Sequence, residues 1–194
     1  ELYLTDVLEI MRNDGASIAA VIIDDFIEIL GVNDRVQLAE SAALLRDRTN
    51  DNLMKSGVTI TDPTTTWVDV TATIGSDVTL LPGSAIAGNT KIESGAVIGP
   101  RTTLIDCTVA AGASVIESYC TASAIGAGAS VGPFTFLRAG TDLGPHTRAG
   151  AFVEMKNSTL GEGSKVPHLS YVGDATIGVG TNIGAATIFV NYDG

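Results

Sequence analysis

The chain has 194 residues, 22 of them acidic against 11 basic, for a formal charge of −11, and 45% of it is apolar but only 5% aromatic. Such a length can bury a sizeable core without disulfide or metal staples. The acidic balance argues against a nucleic-acid partner, which would need clustered Lys and Arg, and no apolar run approaches the roughly 18 residues of a membrane helix. Nothing in the first residues reads as a secretory peptide. Cys107 and Cys120 stand alone, without metal-ligand spacing, and read as reduced thiols of a cytosolic protein. With no initiating Met and both ends inside apolar patterns, the chain reads as a piece of a longer protein.

Residues 1–57 hold 3 of the 22 glycines and none of the 6 prolines, so a domain boundary is expected near 57. Before it, Thr5 or Asp6 caps a short helix running through Met11 and ended by Gly15. Ser17 to Ile23, rich in Ala, Val and Ile, reads as a strand. Val36 to Met54 has helical spacing at Leu38, Ala42, Leu45 and Leu53, but its middle, RDRTNDN, is polar all round, which predicts a solvated linker helix.

Beyond the boundary the sequence repeats. Apolar residues return every six positions from Ile74 through Leu80, Ile86, Ile92, Ile98 and Leu104. The series continues to Phe189 with occasional steps of five, as at Val109, Cys120 and Ile125. All 21 positions are apolar, and 19 of the 21 are followed four residues later by Ala, Val, Ser or Thr. Neither a period of 3.6 nor one of 2 produces this spacing. Each hexad reads as a short flat strand with one inward aliphatic and one inward small side chain, and its remaining residues turn a corner. Three hexads close a coil, giving seven coils stacked strand on strand. A narrow triangular core has no room for large rings, which accounts for the few aromatics.

Counting in coils turns spacing into geometry. On one wall the residue just after the inward aliphatic is, in turn, Ala87, Ile105, Thr121, Arg138, Lys156, Gly173 and Val190, so Arg138 and Lys156 stack on adjacent rungs. Two like charges at rung spacing repel. Either a shared anion such as a phosphate relieves that repulsion, or Glu154 and Asp174 neutralise the two as surface pairs. Of the two histidines, His146 lies in an exposed turn, GPHT. His168, in VPHLSY, precedes the basic column by one wall and is either a surface residue or a neutral base able to take a proton near neutral pH. The three histidines of a β-helix zinc site are missing. Asn157, Asp174, Asn182, Asn191 and Tyr192 crowd the last coils with the polar groups a sugar's hydroxyls require.

The hexads resemble the left-handed parallel β-helix of the hexapeptide-repeat acyltransferases, and handedness is taken from that resemblance, since the general crossover preference is right-handed. The words ELYLTDVL, GVNDRVQL, GPFTFLRAGTDLG, GAFVEMKNSTLGEGSKVPHLSYVGDATIG, TNIGA and VNYDG resemble, in order and over nearly the whole chain, one family of that class. These are the bacterial bifunctional N-acetylglucosamine-1-phosphate uridylyltransferase/glucosamine-1-phosphate N-acetyltransferases. The resemblance implies that residues 1–35 are the α/β tail of a nucleotidyltransferase domain, 36–57 a linker helix and 58–194 a truncated β-helix acetyltransferase domain. It implies that Arg138 and Lys156 bind the phosphate of glucosamine 1-phosphate and that His168 is the general base on the substrate amine. Tyr171, Asn182, Asn191 and Tyr192 would contact sugar or phosphate, and the backbone of Ala185 would lie by the acetyl group of acetyl-CoA. Asn33 would be a Mg2+ ligand of the uridylyltransferase site, where UTP reacts with release of pyrophosphate. A cytoplasmic homotrimer with acetyltransferase sites between subunits is implied as well, supplying UDP-N-acetylglucosamine for the cell wall.

The family's Gly-rich nucleotide loop and its last coils have no counterpart in the 194 residues. This piece alone is therefore expected to be inactive and to carry an uncovered sheet edge at its end. Two other functions fit the repeat. One is another hexapeptide-repeat sugar acetyltransferase, which would ignore glucosamine 1-phosphate. The other is a non-catalytic trimerising scaffold, indifferent to Arg138, Lys156 and His168.

Overall fold

A computed structural model describes residues 3–191, which fall into two compact units divided between Ser41 and Ala42. The first contains helix α1, Asp6–Asn13, and a 3₁₀ turn, Phe26–Ile29. Thr5 occupies the N-cap of α1 but its hydroxyl caps nothing, and the chain leaves the helix through Asp14 and Gly15, the latter at φ +78. The strand expected at 17–23 does not form: that stretch is irregular, with Val21 and Ile22 exposed. A strand needs a ladder partner for its backbone N–H and C=O groups, and the described residues of this unit contain no other strand to supply one.

Helix α2, Arg35–Lys55, forms where a helix is expected, but its polar run is not wholly solvated. Asn50 is fully buried and its amide donates to the carbonyls of Pro63 and Thr66, both at 3.0 Å. The Arg46 guanidinium donates to the Thr64 carbonyl at 2.9 Å and lies 4.9 Å from the centre of the Trp67 ring. Leu53 and Met54 pack against the core. The C-terminal half of α2 thus covers the first coil of the second unit, shielding backbone groups that an open end would leave bare.

Beyond α2 the chain winds into a parallel β-solenoid of three walls. Every strand pair is parallel and joins a strand to its counterpart one coil further on. One wall begins at Thr59–Ile60 and Thr79–Leu80, the next at Trp67–Val68 and Ala85–Ala87, the third at Thr73–Ile74 and Lys91–Ile92. Seven coils are complete between Thr59 and Ile177, and bridges at Asn182 and Ile188 begin an eighth. In the late coils the first two walls fuse into continuous strands, Arg148–Lys156 and Lys165–Gly173. The architecture is the expected mainly β solenoid of about seven turns, consistent with a left-handed β-helix. It starts two walls before Ile74, at Thr59–Ile60 and Trp67–Val68, because a longer connection through residues 61–66 breaks the six-residue period there.

Of the 21 periodic positions, 18 are buried, and the other three, Ile74, Ile183 and Phe189, pack against the core from the terminal coils. The second inward position follows a sharper rule than four residues on. It lies two residues before the next aliphatic, so at each five-residue step it is Cys107, Ser118, Ser123, Ser158 or Ala175. The residue removed comes from the corner, and each of these tight corners holds a non-glycine residue at positive φ: Asp106, Glu117, Ala122, Asn157 and Asp174. Asn and Asp tolerate that conformation better than other side-chain-bearing residues, which suits three of the five. Both cysteines are buried core thiols, and burial pushes the pKa of each upward, so neither presents a reactive thiolate.

Candidate active site

The register settles the basic column. Leu137 pairs with Met155 and the Arg138 N–H donates to the Met155 carbonyl at 2.8 Å, so Arg138 and Lys156 occupy the same place on adjacent rungs of the second wall. The third member of that column is Gly173, paired with Lys156. Each cation has its own carboxylate. Arg138 meets Glu154 at 3.1 Å and Lys156 meets Asp174 at 3.5 Å, with all four side chains roughly half exposed. Such exposed pairs contribute little to stability, so they leave the cations available to a ligand. Asp174 is fixed further: the Asn157 amide donates to its other oxygen at 2.8 Å. That hydrogen bond, helped by the charges of Lys156 and Arg138, holds its carboxyl below the usual range.

Beside the column lies a groove of about 400 Å³ lined by Lys156, Tyr171, Asp174, Ile188, Phe189, Val190 and Asn191. Two features shape it. Gly173 is buried, and a Cβ there would strike the Tyr171 phenol, so the absent side chain is what lets that ring fold over the column. The Asn191 amide donates to the Gly173 carbonyl, tying the last described residue to the rung below. The groove therefore combines an ammonium group, a phenol and an amide with an apolar floor, the mixture that recognises a small polar ligand.

The structure does not bring every expected residue to this groove. His168 is exposed on the strand Lys165–Gly173, its backbone paired with Ala151, and its imidazole makes no hydrogen bond to the described residues. It stands at the junction of the first and second walls, next to Leu169, which has φ +51. Asn182 and Ala185 are exposed on the first wall, Asn182 bridging to Lys165 and Ala185 lying between Gly184 and Ala186. Tyr192 lies outside the described residues. His146, the other histidine, is at an exposed corner with φ +57. Spacing did not single out Gly173 or the apolar floor of Phe189 and Val190, although Gly173 is visible in the sequence as the one member of the column without a side chain.

Asn33 belongs to the first unit, where Gln37 Oε1 accepts from both its backbone N–H, at 2.7 Å, and its amide, at 3.2 Å. Among the described residues no group of three or more His, Cys, Asp and Glu side chains is placed to hold a metal ion. A Mg2+ ion requires an octahedron of oxygens, usually with a carboxylate, so Asn33 and its neighbours do not make up such a site.

Residues 71–106 match the family model for the bacterial transferase hexapeptide, six repeats. All 194 residues align at 56% identity with the bifunctional protein GlmU of Rhodococcus opacus (strain B4), and at 55% with that of Mycobacterium tuberculosis (strain ATCC 25177 / H37Ra). Over its whole length this chain is similar to GlmU. It spans 39% of the length of each of those two GlmU proteins. Among solved structures, the acetyltransferase domain of PglB from Neisseria gonorrhoeae FA1090, in complex with acetyl coenzyme A, is 17% identical. It matches with a TM-score of 0.49 over 73% of this chain and 62% of that one. Among the described residues no helix is long and apolar enough to cross a membrane.

Proposed function

We propose that the solenoid is the acetyltransferase part of a GlmU-type bifunctional enzyme, transferring acetyl from acetyl-CoA to glucosamine 1-phosphate. The observation that carries this reading is the pair Arg138 and Lys156 on adjacent rungs beside a groove lined by Tyr171 and Asn191, in a chain 56% identical to GlmU from end to end. The guanidinium fork and the ammonium group share the sugar phosphate, Tyr171, Asn182, Asn191 and Tyr192 meet the sugar or its phosphate, and the acceptor amine is turned toward His168. The imidazole takes a proton from that amine, which attacks the thioester carbonyl beside Ala185. The C–N bond forms, the C–S bond breaks, and the thiolate of coenzyme A leaves and recovers the proton from the imidazolium. A hydrogen-bond donor aimed at the carbonyl oxygen stabilises the tetrahedral oxyanion.

His168 stands outside the groove of its own chain, which supports sites completed between subunits of a homotrimer. The exposed corner beside it supports the same arrangement. Phe134, Phe152 and Leu169 line up there, the two rings stacked at 5.3 Å, and are left exposed within one subunit. Residues 1–35 then belong to the tail of the uridylyltransferase domain, with 36–57 as linker and 58–194 as β-helix. In the whole protein that first domain joins UTP to N-acetylglucosamine 1-phosphate with release of pyrophosphate, giving UDP-N-acetylglucosamine for the envelope in the bacterial cytoplasm.

Two substitutions in the protein at its full natural length test the phosphate assignment. Lys156→Ala is expected to raise KM for glucosamine 1-phosphate on the order of tenfold or more, as loss of a charged hydrogen bond does, while leaving the weak reaction of unphosphorylated glucosamine unaltered. Equal losses with both acceptors would remove the phosphate role. Gly173→Ala, which pushes the Tyr171 phenol from its place, is expected to raise the acceptor KM on the order of tenfold with little change in thermal midpoint; an unchanged KM would show that the phenol takes no part.

A further inference from the structure

The basic column beside the groove has a counterpart on the first wall. Arg148 pairs in register with Lys165, so two further cations occupy the same place on adjacent rungs, about 4.8 Å apart. Ser130 stands one rung before them and Asn182 one rung after. The two columns differ in their counter-charges. Arg138 and Lys156 each have a carboxylate, whereas neither Arg148 nor Lys165 makes an ion pair or a side-chain hydrogen bond among the described residues. Both are exposed, and Glu162, at the corner three residues before Lys165, makes no ion pair with it. Like charges on neighbouring rungs destabilise a sheet. After residue 57 the chain has 11 acidic residues against six basic, yet none of them neutralises this pair. Two places further along the same strands stand Gly132, Gly150, Pro167 and Gly184, which bring neither a charge nor a long side chain beside it.

We propose that Arg148 and Lys165 form a second oxoanion site, on the first wall, for a ligand carrying two linked phosphoryl groups. Each cation takes one phosphoryl, the guanidinium through its fork and the ammonium as a point charge. The negative charges along the column then relieve the repulsion between the rungs, and the outer oxygens come within reach of the Ser130 hydroxyl. A carboxylate brings one charge for two cations. A single phosphate must sit between the two rungs and leaves Ser130 unused. No carboxylate of the chain is paired with either cation, so the attraction grows with the charge of the ligand. The site is open to solvent, and binding weakens as salt is added. The chemistry recognised is that of a diphosphate, whether free or esterified to a nucleoside. None of Ser130, Arg148 and Lys165 has a part in the acetyl transfer proposed above, so this site stands or falls apart from it.

The test is equilibrium dialysis of labelled inorganic diphosphate against the full-length protein, at low ionic strength and with a chelator that silences metal-dependent sites. Uridine diphosphate is the second ligand. Arg148→Ala combined with Lys165→Ala is expected to remove one bound diphosphate per chain, and Lys165→Ala alone to weaken that site on the order of tenfold. Arg148→Lys keeps the charge and should keep the site. Lys156→Ala, on the other column, should leave it in place. Both side chains are exposed, so the double variant is expected to keep its thermal midpoint in the absence of ligand. Loss of inorganic diphosphate alone supports the site with the free anion as its ligand; a parallel loss of uridine diphosphate supports it with nucleoside diphosphates included. An unchanged count of bound diphosphate in the double variant overturns the proposal, and so does inorganic monophosphate binding there as tightly as diphosphate. A protein that acetylates glucosamine 1-phosphate but shows no such loss gives up this inference alone; one that shows the loss without acetylating keeps it and gives up the acetyltransferase reading.

Discussion

Replacing His168 with alanine is expected to lower acetyl transfer to glucosamine 1-phosphate by about 10²–10⁴-fold, the range that loss of a positioned general base covers. The loss should fall on kcat with the acceptor's KM little changed, because the proposed phosphate ligands, Arg138 and Lys156, lie on the neighbouring wall. The imidazole is exposed and carries no structural hydrogen bond among the described residues, so the substitution opens no cavity and leaves the solenoid's stability as it was. A variant acetylating at the wild-type rate would remove the general-base role. One that lost the activity by unfolding would show a role in packing that the exposed side chain gives no sign of.

The second large effect is on stability. Leu137 is fully buried between Cys120 on the preceding rung and Met155 on the following one, and its backbone carries Arg138 into the basic column. Leu137→Ala is expected to cost about 2–5 kcal/mol, because a core of this packing density cannot collapse around the lost atoms. Each coil touches only its neighbours, so denaturant unfolding should lose cooperativity around that coil before the rest of the array melts. A cost under about 1 kcal/mol would mean that the prism interior is looser than a close-packed core. In either case the measured KM for the phosphorylated acceptor reports whether the rung beneath Arg138 has moved.

Periodicity made most of the fold legible. A side chain every six residues on one inward line left no architecture but a three-walled prism, and the same counting placed Arg138 over Lys156. It failed where the chain leaves the period. The first two walls of the first coil, with Ile60 and Val68, are hidden by the connection through 61–66. At five-residue steps, counting four residues on named Thr108 and Tyr119 where Cys107 and Ser118 face inward, because the corner loses the residue and the wall does not. Asn50 looked like part of a solvated run, since no local pattern shows that Pro63 and Thr66 will offer it carbonyls. Ser17 to Ile23 had the composition of a strand, but composition cannot supply the neighbour that a ladder requires.

The candidate site divides in the same way. The basic column follows from the repeat and is present in the register; its carboxylates, Glu154 and Asp174, are those that spacing suggested. The placing of Tyr171 over Gly173 depends on side-chain direction, which period alone does not give. The separation of His168 from the groove is a consequence of walls: a residue one wall earlier faces another direction, so the proposed base and the proposed phosphate site would meet only where a second surface faces the first.

The central claim is best tested by following free thiol release from acetyl-CoA in the full-length protein with glucosamine 1-phosphate as acceptor, and with glucosamine lacking the phosphate beside it. Release that depends on the phosphate is the result expected from a basic column feeding an acetyl-transfer site. Release of equal size with both acceptors, or none from a soluble and trimeric protein, would contradict it and leave the solenoid as an acyltransferase for another acceptor or as a scaffold.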